Sequence, residues 1–282
     1  MDAITFWLPL LFIVGSVAAA VRYLWFWKTR DVGLHPEKRL LILGHRGAPS
    51  QAPENTLPGF QAAFAAGLDG IELDVMETAD GELVVAHDYD LEWHTNGTGF
   101  IHETMADVLL QVNAAHRWEP DFPSTPIPRL DDVLKILPEH VIVNIELKTQ
   151  NWFHPGFERK VLALVHQYDL EKRTVISSFN PFSLLKVRWL ASEVAVGYIW
   201  RRDTQVPWYL RRPYLLNLVQ PHFFHPQVYL VTRKFVEKAH RHGMKVNVWT
   251  VNNRPVIDYL KSLGIDGIFT DFPELITSVK ED

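Results

Sequence analysis

A closed (β/α)₈ barrel of the α/β class, the TIM-barrel arrangement, is the fold that this 282-residue sequence predicts. Three observations carry the prediction. Nine short runs rich in Val, Ile and Leu alternate with helix-patterned stretches, as expected for a parallel sheet buried on both faces. Roughly 250 residues follow the N-terminal apolar stretch, about what one such barrel uses. Neither a GxGxxG nor a GxxxxGK[ST] loop occurs, which weakens the competing open doubly wound sheet.

The chain opens on an apolar stretch, residues 3–21, without a charged side chain, followed by Trp25, Phe26 and Trp27. About 20 apolar residues span a bilayer core as a helix, and aromatic rings favour its interface. The segment is therefore expected to be a single-pass transmembrane helix, with residues 1–30 forming an anchor and its juxtamembrane part. A cleaved signal peptide wants positive charge before the apolar run, whereas only Asp2 precedes it and Arg22, Lys28 and Arg30 follow. A buried soluble helix is the third reading. With the positive residues on the far side, the positive-inside rule places residues 31–282 in the cytoplasm.

Strands are expected at 40–44, 71–75, 83–87, 141–147, 174–179, 194–200, 218–223, 245–251 and 267–271. Helices are expected at 56–66, 130–137, 157–168, 181–190, 232–242 and 254–263. Nine runs for eight barrel positions put one in a hairpin or an insertion. The stretch 89–128 breaks the alternation and carries Pro120, Pro123, Pro126 and Pro128 near its end. It is expected to be an insertion after the second strand region.

Composition narrows the function. With 28 Lys and Arg against 33 Asp and Glu, the formal charge is −5, the wrong sign for a nucleic-acid surface. With no cysteine, disulfides, thiolate metal sites and Cys nucleophiles are excluded. The informative signal is positional, because polar residues recur at the ends of apolar strands. His45 and Arg46 follow the first run, Glu72 and Asp74 lie within the second, and His87 and Asp88 follow the third. Glu146 and Lys148 close the fourth, Trp249 ends the KVNVW run, and Asp271 follows GIFT. In a parallel barrel all these ends open on one face.

Alternation along a strand points Glu72 and Asp74 to the same side, and likewise Glu146 and Lys148. Carboxylates on a core face are costly unless a cation or hydrogen-bond network compensates. Glu72, Asp74 and Glu146 are thus candidate ligands of a hard divalent cation, Mg²⁺ or Ca²⁺. The plainer reading, salt bridges to Arg46 and Lys148 without a metal, suits each pair taken singly. Three acids converging with His45 and His87 favour the metal, because imidazoles that titrate near neutrality suit proton transfer. Trp249 is a candidate substrate platform, against the simpler view of it as core.

These residues carry a resemblance. The segment GHRGAPSQAPENTLPGFQAAFAAGLDGIELDVMETADGELVVAHD (44–88), then NIELK (144–148), WTVN (249–252) and GIFTDFP (267–273) resemble the glycerophosphodiester phosphodiesterases. The likeness runs from about Leu40 to the C-terminus and implies a TIM barrel. It implies that Glu72, Asp74 and Glu146 bind the divalent metal, that His45 and His87 are the acid/base pair, and that Arg46 and Lys148 hold the phosphate oxygens. The implied reaction uses the glycerol 2-hydroxyl as nucleophile and passes through a cyclic phosphate that water opens. It releases glycerol 3-phosphate and an alcohol.

The expected substrate is therefore a small-molecule phosphodiester. The anchor and the aromatic-rich tract 207–218 suggest a lysolipid alternative, lysophospholipase D activity. A catalytically silent, membrane-tethered binding module is the non-enzyme alternative. A Schiff-base lyase using Lys148 is disfavoured, because three neighbouring carboxylates would keep that amine charged.

Overall fold

The structure is a computed structural model that describes residues 3–35, 39–119, 121–149, 155–202, 213 and 215–275, with the side chains of 3–10 left out. The strands are β1 (Leu41–Gly44), β2 (Gly70–Glu77), β3 (Leu83–Val85), β4 (Ile142–Leu147), β5 (Thr174–Ser178), β6 (Ala195–Trp200), β7 (Phe223–Pro226), β8 (Lys245–Val248) and β9 (Gly267–Thr270). Neighbouring strands pair in parallel around the sheet. Because β1 pairs with both β2 and β9, the eight parallel strands close into a barrel. The ninth, β3, is antiparallel to β2, so the hairpin that the run count calls for is at 83–85.

Helices α2 (Leu57–Ala65), α4 (Leu130–Lys135), α5 (Phe157–Gln167), α6 (Pro181–Leu190), α7 (Leu216–Val219), α8 (Arg233–Arg241) and α9 (Arg254–Leu263) follow the strands; α1 (Ala3–Trp25) precedes the barrel and α3 (Ala106–Leu109) lies between β3 and α4. Local chemistry starts several of them. Thr56 and Asn180 cap α2 and α6 by accepting the backbone N–H of Gly59 and Phe182, and Pro58 and Pro181 occupy first-turn positions. A proline there gives up an N–H that no helical partner needs.

Strand alternation sorts the side chains. Ile42, Ile71, Leu73, Ile145, Ile176, Val196, Val246 and Ile268 face outward into the main core, with Phe60, Leu184, Val236 and Leu260 from the helices. Leu41, Leu43 and Phe269 face inward. The lower end of the barrel is closed by residues 27–35. Leu34 is buried against Val175, Ala195 and Phe223, and Trp27 stacks on His242 with ring centroids 4.4 Å apart. Between β3 and α4, the expected insertion has a small core of its own, Leu91, Ile101, Leu109 and Ile127 with Met76 and Val84.

Two expectations are corrected. The run 218–223 is not a strand: Leu218 and Val219 belong to α7, Gln220 turns in the left-handed region at φ 48°, and β7 starts only at Phe223. Pro221, which has no N–H to offer a ladder, follows that turn. The second correction concerns the membrane. Residues Ala3–Trp25 form one α-helix, but among the described residues no helix is long and apolar enough to cross a membrane. The expected single-pass anchor, with a cytoplasmic catalytic domain, is therefore unsupported. The last turn of this helix is tied to the barrel, where the Tyr23 carbonyl accepts from Gln220 Nε2 at 2.8 Å. The aromatic-rich tract 207–218, read as a lipid-access feature, lies mostly outside the described residues.

Candidate active site

The C-terminal ends of the strands surround a cavity of about 470 Å³. His45, Arg46, Glu72, Asp74, His87, Glu146, Lys148 and Trp249 all line it, so the structure brings every sequence-predicted site residue to one place. Glu72 and Asp74 project inward from β2, and Glu146 does so from the adjacent β4, where Asp74 and Glu146 are direct cross-strand partners. One carboxylate oxygen from each of the three lies within 4.8 Å of the others.

The turn after β1 is built to meet this cluster. Arg46 takes a positive φ of 55°, which turns its backbone N–H onto Glu72 Oε2 at 2.8 Å. A side chain on Gly44 would strike the Gly47 carbonyl at 2.1 Å, so glycine alone allows this turn. The Arg46 guanidinium donates to Glu54 at 2.8 Å and lies 3.6 Å from Asp74. Lys148 Nζ is 3.6 Å from both Asp74 and Glu146.

The electrostatics follow from this crowding. Burial is the largest influence on Glu72, and with the charges of Asp74 and Glu146 it pushes that carboxyl well above the usual range despite Arg46. Burial likewise raises Glu146, to about 7, against the pull of Lys148. Asp74 goes the other way: burial would raise it, but Lys148, His87 and Arg46 together bring it down to about 2. Burial would lower Lys148, yet Glu146 and Asp74 more than offset it and hold the ammonium charged. A charged, ion-paired lysine is no Schiff-base nucleophile. The acid set is short of positive charge and offers hard oxygen donors from three side chains, so these residues fit a divalent cation.

Each histidine has a carboxylate behind it. His45 Nδ1 is 2.7 Å from Asp271 Oδ1, and His87 Nδ1 is 2.8 Å from Asp88 Oδ1. A carboxylate acceptor fixes the Nδ1–H tautomer and leaves the Nε2 lone pair for chemistry. Asp271 is itself gripped by Asn252, whose Oδ1 accepts its backbone N–H at 2.9 Å. Asn55, in the left-handed region at φ 54°, donates from Nδ2 to Asp74 Oδ2 at 2.9 Å and accepts the Asp74 N–H on Oδ1. The sequence marks Asp88 and Asp271 only as polar strand-end residues without a role, and Asn55 and Asn252 not at all, although all four sit in or beside its motifs. The available signal was a short polar residue directly after a strand or in a loop facing one.

Comparison with known proteins fits this constellation. A family model described as "Glycerophosphoryl diester phosphodiesterase family" matches residues 45–275. The chain belongs to this phosphodiesterase family. A glycerophosphodiester phosphodiesterase of Caldanaerobacter subterraneus subsp. tengcongensis is 32% identical over 242 residues, covering 86% of this chain and 98% of the relative. Among solved structures, a glycerophosphodiester phosphodiesterase of Agrobacterium tumefaciens superposes with TM-score 0.72 at 28% identity, covering 85% of this chain and 100% of the other. An Oleispira antarctica phosphodiesterase, solved with the product sn-glycerol-3-phosphate, gives TM-score 0.72 at 27% identity, covering 88% and 98%. As a member of the family, this chain is a phosphoric diester hydrolase acting on glycerophosphodiesters.

Proposed function

We propose that this glycerophosphodiester phosphodiesterase works by metal-assisted acid/base catalysis, with His45 and His87 as the proton carriers. The observation that supports this best is the pair of carboxylate-backed histidines in the same cavity as three mutually close acids. Glu72, Asp74 and Glu146 would hold Mg²⁺ or Ca²⁺, which supplies Lewis-acid polarisation of the phosphoryl oxygens. Arg46 and Lys148 offset the charge that builds on those oxygens, an effect strengthened by their burial.

In the first step the glycerol 2-hydroxyl attacks phosphorus and its proton passes to Nε2 of His45. The P–O bond to the head group breaks as His87 Nε2 hands a proton to the leaving alkoxide. Asp88 stabilises the imidazolium that His87 must be beforehand, and Asp271 stabilises the one that His45 becomes. Water then opens the cyclic phosphate with the two roles exchanged, giving glycerol 3-phosphate and an alcohol. Trp249, at the rim with its indole N–H committed to the His225 carbonyl at 2.8 Å, offers a ring face to the substrate.

Phosphorus NMR of glycerophosphocholine turnover tests the reading. Loss with chelator, recovery with Mg²⁺ or Ca²⁺, and loss in folded His45→Ala and Glu72→Ala proteins are expected. Undiminished turnover in either variant overturns it. The lysophospholipase D alternative predicts faster turnover of lysophosphatidylcholine than of glycerophosphocholine.

A further inference from the structure

The cavity has a floor that this mechanism does not use. His225 and Asn144 project into the barrel from β7 and β4 and line the same cavity. Both are almost fully buried, at 2% and 1% exposure. His225 Nε2 and Asn144 Oδ1 have no hydrogen-bond partner among the described residues. The other end of the Asn144 amide is committed, with Nδ2 donating to Ser177 Oγ at 2.8 Å. The imidazole is held in place by Phe269, edge-on at a centroid distance of 5.0 Å, and by Phe223 at 6.0 Å. Room for the ring comes from Gly197, where a Cβ would stand 2.6 Å from His225 Cε1. Burial, reinforced by His35 nearby, pushes this histidine down to about 3, so it stays neutral.

Buried polar atoms are almost always paired, and leaving one unpaired is costly. What would pair these two is narrowly defined. Asn144 Oδ1 accepts only, so its partner must donate. A neutral imidazole nitrogen donates or accepts according to tautomer, so its partner must be able to do either. A hydroxyl does both. A quaternary ammonium or a methylene chain does neither.

Asn144 is the cross-strand neighbour of Glu72 and stands two residues before Glu146 on β4, which sets its amide next to the acidic cluster, with His225 lining the same cavity. We propose that His225 and Asn144 form a hydroxyl-reading floor, which takes the glycerol hydroxyl that is not the nucleophile and so selects deacylated glycerophosphodiesters over lysophospholipids. The proposal rests on the reading that Arg46 and Lys148 hold the phosphate above it. An acyl ester on that glycerol would replace a donor by apolar chain and leave a buried acceptor unpaired. A site built for a hydroxyl rejects analogues lacking it more strongly than an apolar pocket rejects an added one.

The test reads binding rather than turnover, using sn-glycerol 3-phosphate and propyl phosphate, which differ only in the two hydroxyls. Titration calorimetry of the wild-type protein is expected to show sn-glycerol 3-phosphate tighter by on the order of 10- to 100-fold. In His225→Leu that ratio is expected to shrink to about threefold or less, with the loss falling on the glycerol compound. Gly197→Ala, whose Cβ would press on the ring at 2.6 Å from Cε1, is expected to act in the same direction if His225→Leu fails to fold. Equal affinities in the wild type, or an unchanged ratio in a folded variant, overturn the floor. Absence of glycerophosphocholine turnover in the wild type would instead overturn the function on which it rests, so the two failures are told apart.

Discussion

Replacing Glu146 by Gln should stabilise the metal-free protein at alkaline pH. The Glu146 side chain is only 13% exposed, and burial is the main reason its carboxyl is raised from 4.5 to about 7. In the unfolded chain the same group ionises near 4.5. Between those values the folded state keeps a proton that the unfolded state has released. The stability associated with the neutral form is therefore complete below pH 4.5 and is lost as pH rises through about 7. At 1.36 kcal/mol per tenfold change, the loss is about 3 kcal/mol. For a chain of this size that corresponds to a melting shift on the order of 8 °C. Asp74 has the opposite sign, its lowered carboxyl stabilising the fold above 3.8 and losing that contribution toward 2, outside this window. Thermal melts in EDTA from pH 5 to 8.5 give the answer. The wild-type Tm should decline over that range by the stated amount more than that of Glu146→Gln, and Mg²⁺ or Ca²⁺ should flatten the wild-type decline. Parallel profiles for the two proteins in EDTA would refute the electrostatic account of the cluster.

Three other outcomes follow from the same contacts. Asp271→Asn lets the His45 tautomer flip, so kcat should fall by on the order of 100-fold or more while KM changes little, as steady-state kinetics will show. Asn55→Ala removes both hydrogen bonds to Asp74 and puts alanine at φ 54°; urea unfolding should register a loss of about 2–4 kcal/mol. Leu34→Ala opens a hole in the plug beneath the barrel, for which about 2–4 kcal/mol is expected in the same assay, with kcat kept at temperatures where the variant is folded.

Much of the barrel was legible because its signal is local. Buried parallel strands read as unbroken Val/Ile/Leu runs, and helices declare themselves by Thr56, Asn180 and Pro181 at their starts. The errors arose where local pattern and context part. Leu218 and Val219 are strand-forming side chains, yet the turn at Gln220 ahead of Pro221 spends them in a helical segment. The N-terminal stretch is apolar, yet its closing turn is also held by a tertiary contact that no linear pattern announces, the Tyr23 carbonyl accepting from Gln220. Asp88 and Asp271 went unranked because nothing in a linear pattern says which imidazole a carboxylate will reach.

The sequence by itself determined that acids, imidazoles and cations stand at the C-terminal ends of strands, since strand parity and parallel order follow from hydrophobic spacing alone. It also determined the family, through motifs spread from the first strand to the last. Only the tertiary structure decided that three carboxylates meet within 4.8 Å, which histidine leans on which aspartate, and that two buried polar atoms lining the same cavity lack partners among the described residues. Those are distances across a closed barrel between residues remote in the chain, set by strand stagger and by packing around Gly197 and Phe269. One-dimensional pattern carries no measure of them.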